Sequence, residues 1–150
     1  MLRTLLPERF DNSFPGFTPA LWIFAALLLL RGLIGGNCML HGGYVAAHAD
    51  GIPINSFGPA AARVIATDFA AWGIAQVMLA LIGLVALVRY RAMVPLMLAV
   101  FLLEHASRKI LVTLMPVATT GHAPGGYVNL AIFALEIAGL AMAVWPRKRA

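Results

Sequence analysis

The stretch LLEHASRKIL, Leu102 to Leu111, sets a glutamate, a histidine, a serine, an arginine and a lysine between two strongly apolar runs. Those flanks, Ala92–Leu103 and Ile110–Val117, are each too short to cross ~30 Å of hydrocarbon, which takes about 20 helical residues. Carried on one helix, they make a single span with a polar face. Broken at the cluster, they make a re-entrant segment and the chain loses a span. One helix is the more economical reading, and the count of four spans depends on it.

Composition identifies the solvent. Of 150 residues, 61% are apolar and 11% charged, with a mean hydropathy of +0.87, whereas soluble domains run at roughly 45–50% apolar and about 25% charged. The chain is read as an integral membrane protein, with the lipid bilayer as its first partner. Four apolar stretches reach spanning length: approximately 19–40, 61–87, 92–117 and 127–145. Runs this long and unalternating imply helices, not barrel strands of about ten residues. The expected fold is all-α, one transmembrane domain over 1–150, a four-helix bundle. Residues 1–18 mix charges and prolines with apolar side chains and hold no continuous apolar core, so no cleavable signal peptide is expected. This segment reads equally as a short interfacial piece or as a plain tail.

Lysines and arginines set the orientation. With four spans the termini and the central turn share one side, and that side carries Arg3, Arg9, Arg89, Arg91, Arg147, Lys148 and Arg149. Arg63 stands at a span edge on the other side. The positive-inside rule then places both termini in the cytoplasm, and the protein in a cell inner membrane as a multi-pass chain. The same rule accounts for the net charge of +5, so no nucleic-acid partner is expected. Trp22, Tyr90 and Trp145 fall at the inner interface, Tyr44 and Tyr127 at the outer one.

Every span carries ionisable groups. Arg31 lies near the middle of the first, Asp68 in the outer third of the second with Trp72 and Gln76 following it on the same face, Glu104, His105, Arg108 and Lys109 on the third, and Glu136 near the middle of the fourth. On a helix, Glu104 and Arg108 share one stripe, and His105 and Lys109 form a second pair about 100° around. Arg31, Arg108 and Lys109 balance Asp68, Glu104 and Glu136. Six unpaired charges at membrane depth would cost roughly 15–20 kcal/mol, so they must pair inward or be partly neutral. Such a network either fixes helix register or marks a site for a proton, ion, substrate or headgroup. In the first span Gly32 and Gly36 have GxxxG spacing, and small residues there suit close packing within the bundle, a homodimer or a larger membrane complex.

Cys38 and His41 have i, i+3 spacing that would suit a metal, but no zinc pattern accompanies them, and His48, Asp50 and His122 are scattered through loops. No metal or other cofactor is predicted. A phosphate loop, a nucleophile elbow and a redox C-x-x-C are all missing from the sequence, so catalytic residues are unknown and an enzyme is disfavoured.

Arg31 and Gly35 as R-x-x-x-G in the first span, LLEHASRK in the third and ALEIAGL around Glu136 in the fourth resemble the DoxX-like group of small bacterial membrane proteins. The resemblance implies a four-span helical fold and a membrane location, in a group associated with diverse redox or accessory roles. Three functions are carried forward. The first is an accessory, assembly or small-molecule-binding component. The second is a proton-coupled carrier using Glu104 or Glu136. The third is a lipid- or isoprenoid-modifying enzyme with Glu104 and His105 as acid and base, which needs an apolar cavity of ~300 Å³ or more.

Overall fold

The computed structural model describes residues 2–120 and 123–145. His122, Arg147, Lys148 and Arg149 lie outside the described residues, as does the side chain of Arg3. A single-turn helix α1 (Leu2–Leu5) precedes four long helices: α2 (Pro19–His48), α3 (Pro59–Arg89), α4 (Val94–Leu114) and α5 (Pro124–Val144). Each long helix has a proline in its first turn, where the missing N–H would lack an intrahelical partner anyway. Three of them, α2, α3 and α5, are long and apolar enough to cross a membrane. The fourth, α4, carries Glu104, Arg108 and Lys109 within its 21 residues.

The helices share a core built from Phe24, Leu27 and Leu28 of α2, Ala86 of α3, Val94, Leu98 and Phe101 of α4, and Ile132 and Ala143 of α5. Phe24 and Phe101 meet at its centre, ring centroids 5.6 Å apart. Outside it, large apolar side chains such as Leu29, Leu33, Ile74, Met78 and Leu130 are exposed. So are Trp22, Tyr44, Tyr127 and Trp145, the distribution of a protein whose surroundings are apolar.

Two features differ from the sequence reading. Residues 41–48, expected in a loop, continue α2 past a kink at His41, whose φ of −133° and ψ of 39° are not helical. Gly42 and Gly43 follow it, and they read as turn residues. Gly42 instead lies against α3, where a Cβ would come within 3.1 Å of Ala70 N and 3.2 Å of Phe69 Cβ. At the other end of the bundle, the segment between α1 and α2 forms a strap. Phe17 N–H donates to Met142 O at 3.1 Å, and Ala92 N–H to Asp11 O at 3.3 Å. The strap ties the α3–α4 turn and the end of α5 to the start of α2.

The opposite loops are tied as well. Gly51, at a φ of +68° that only glycine adopts without strain, accepts a hydrogen bond from Thr120 N–H at 2.8 Å, and Gly125 N–H donates to Ala49 O at 2.9 Å. Beside them burial raises the Asp50 carboxyl above its ordinary 3.8, against a smaller lowering by Arg108. A carboxyl raised on folding binds its proton better in the folded state, so its effect on stability worsens as pH climbs from 3.8 through the folded value. Asp50→Asn is therefore expected to raise the melting temperature at neutral pH and leave it unchanged in acid below 3.8. A gain of equal size at both pH values would show that charge is not the reason.

Candidate functional site

The site is organised by Arg31, which is 5% exposed at mid-length on α2. A guanidinium has five N–H donors in a planar fork, so one buried arginine can address several helices at once. One terminal nitrogen donates to Gln76 Oε1 on α3 and, at 3.2 Å, to Glu104 Oε2 on α4. The other donates to Glu136 Oε1 on α5 at 2.8 Å and to the Phe101 carbonyl at 3.2 Å. The guanidinium carbon also lies 4.1 Å from the centroid of the Phe101 ring, where a cation is favoured.

Glu136 is fully buried and both its oxygens are engaged. Oε1 receives Arg31, and Oε2 lies 3.1 Å from His105 Nδ1. With Glu136 ionised its carboxylate can only accept, and Nδ1 is then the donor. Its ring meets the Phe133 ring edge-on at 5.1 Å. Glu104 is 26% exposed and accepts from Gln76 Nε2 at 3.1 Å through Oε1. Arg108 Nε stands 3.5 Å from the same oxygen, pairing by charge without a hydrogen bond. The Arg108 guanidinium lies over the Trp72 ring of α3, 4.8 Å from its centroid. Two cations, Arg31 and Arg108, thus balance two carboxylates, Glu104 and Glu136.

Five of the seven residues expected to form the network meet here: Arg31, Glu104, His105, Arg108 and Glu136. Asp68 and Lys109 do not. Both are exposed, and among the described residues neither enters an ion pair. The buried stripe of α3 runs through Gly73, Gln76, Ala80 and Gly83, which turns Asp68 away. Lys109 comes where α4 leaves the core, for no residue of that helix beyond His105 is buried. The expected i, i+4 pairing of Glu104 with Arg108 is present, whereas His105 turns to Glu136 rather than toward Lys109.

Gln76, Trp72 and Asn129 complete the site. With Arg31, His105 and Arg108 they line a cavity of about 20 Å³, the size of one water-scale group. Glu104 is not part of its wall, and an isoprenoid would need a chamber more than ten times larger. Asn129 stands seven residues before Glu136 and so on the same face of α5, which is the signal the sequence holds for it. Cys38 is buried, while His41 is exposed with Nδ1 3.2 Å from Asn37 Oδ1. Among the described residues no group of three His, Cys, Asp or Glu gathers to hold a metal ion.

Comparison with protein-family models, curated proteins and solved structures finds no match to the chain.

Proposed function

We propose that the chain is a four-span protein of a cell inner membrane, both termini cytoplasmic, that works as a non-enzymatic accessory or small-molecule-binding component. The observation that carries this reading is the reach of Arg31 to all three other long helices at one level. Ionisable groups at membrane depth are expensive unless paired, and those of α4 that face the bundle are paired, which makes α4 admissible as the fourth span. Lys109, on its exposed side near the helix end, can extend its ammonium toward the interface. The orientation rests on Arg9, Arg89 and Arg91 at the end tied by the strap, against Arg63 at the other. The same layout is what a DoxX-like member would have, and the proposal extends to that kinship.

Cysteine labelling tests the spans. In a Cys38→Ala background, Ser56→Cys and Thr119→Cys are expected to react with a membrane-impermeant maleimide on intact spheroplasts, and Ser13→Cys only after lysis. Thr119→Cys that stays unreactive until lysis would remove α4 from the spans.

One observation favours the carrier as a second reading. His105, Glu136, Arg31 and Glu104 form a continuous polar chain from a buried carboxylate to a partly exposed one. Proteoliposomes that move no protons with any candidate substrate would eliminate it.

A further inference from the structure

The end of the bundle tied by the strap holds an open recess of about 420 Å³, lined among the described residues by Asn12 of the strap and by Val88, Arg89 and Tyr90 at the end of α3. Its volume falls within the roughly 300–1,000 Å³ of small-molecule sites. The strap shapes it, for the bond from Ala92 N–H to Asp11 O at 3.3 Å sets Asn12 beside the α3–α4 turn. The Asp11 carboxylate is taken up by Ser13, whose N–H donates to it at 2.9 Å.

Charge decides what the recess takes. Arg89 is exposed, and among the described residues its side chain enters no hydrogen bond or ion pair. Arg91 differs: its Nε donates to Leu87 O at 3.2 Å, and it is not part of the lining. The carboxyl end of α3 carries about half a negative charge, which the full charge of the Arg89 guanidinium exceeds. A planar fork of N–H donors can meet a phosphate with two parallel bonds, and the Asn12 amide and Tyr90 hydroxyl are further donors in the same lining.

The surroundings decide where that phosphate comes from. Trp22 and Trp145, exposed at this same end, are residues that favour the level of lipid headgroups. From Val88 an exposed stripe of Val85, Leu84 and Leu81 runs back along α3, at the i, i+3, i+4 and i+7 spacing of one helix face. Because α3 packs mainly on α2, the stripe stays bare. A free phosphate would use none of it, whereas a lipid would lay an acyl chain along it. The geometry points to a binding site for one anionic phospholipid, its phosphate on Arg89 in the recess and an acyl chain along Leu81, Leu84 and Val85. The site goes beyond the function proposed above and takes from it only that α3 spans the membrane with Arg89 at the cytoplasmic interface.

The test uses the full chain in mild detergent, titrated with phosphatidylglycerol or with phosphatidylcholine of the same acyl chains and read by native mass spectrometry and melting temperature. Phosphatidylglycerol is expected to bind saturably at one per chain and to raise the melting temperature. It should bind about tenfold more tightly than phosphatidylcholine, whose choline brings a cation of its own, a preference worth one charge-assisted hydrogen bond. Glycerol 3-phosphate at the same concentration should leave the melting temperature unchanged. Arg89→Gln should lose most of the preference. Arg91→Gln removes an equal charge outside the lining and should keep it. Both positions are exposed, so both variants should melt with the parent when no lipid is added. Equal binding of the two lipids, or equal loss in the two variants, would mean unselective attraction to a basic surface. An equal shift by glycerol 3-phosphate would mean a site for a soluble anion. Each of these results overturns the lipid site, while the span assignment stands or falls separately with the maleimide labelling.

Discussion

Arg31→Leu is expected to prevent accumulation of folded, monodisperse protein in mild detergent. The substitution removes the donor to four acceptors on three helices and leaves Glu136, with 0% exposure, facing only His105. Breaking a buried ion pair on one side costs about 3–5 kcal/mol because the remaining charge stays desolvated, a large part of the 5–15 kcal/mol that holds a typical domain folded. Arg31→Lys should recover little, since one ammonium cannot address acceptors spread as a planar fork requires. The informative variant is the double substitution Arg31→Leu with Glu136→Leu. It removes one cation and one anion together, and Arg108 with Glu104 stays balanced. Paired deletion of this kind is often close to neutral, so the double variant should be recovered in better yield than Arg31→Leu alone. A single Arg31→Leu protein that melts with the parent would show that the cluster does not hold the helices together.

Why five of these residues could be picked out by reading, and others could not, is a matter of contrast. Arg31, Glu104, His105, Arg108 and Glu136 stand out because an ionisable side chain in an apolar run is costly wherever it points. Which of them meet depends on helix rotation, and that was not legible for Asp68. A helix of 31 residues with glycine or alanine at many positions offers several stripes along which a neighbour could pack. Gln76 is legible only as a follower of Asp68 on one face, and Asn129 less still, because a neutral amide carries no such cost signal, yet Gln76 bonds to both Arg31 and Glu104. The helix ends show the same effect. Gly42 and Gly43 have the chemistry of a turn, and only the close approach of α3 explains why they continue a kinked helix instead.

Close approach also sets the second large expected effect. The GxxxG spacing draws attention to Gly32 and Gly36, but a Cβ at either would have no neighbour within 4 Å. The tight contact is between Gly35 and Gly73. A Cβ on Gly73 would stand 2.5 Å from Gly35 O and 2.5 Å from Met39 N, and one on Gly35 would stand 2.9 Å from Gly73 O. Those neighbours are backbone, so relief requires the two helices to move apart, and moving apart draws Gln76 away from Arg31. Gly73→Val is therefore expected to abolish folded protein, combining overpacking of about 1–3 kcal/mol or more with disruption of the polar centre one turn further along α3. Gly36→Ala should be tolerated, or stabilise α2 by up to about 1 kcal/mol through helix propensity. Size-exclusion profiles and melting temperatures of the two variants in the same detergent make the comparison. Equal loss in both would mean that the Gly32 and Gly36 face is also packed against a backbone, and that this chain works as an oligomer.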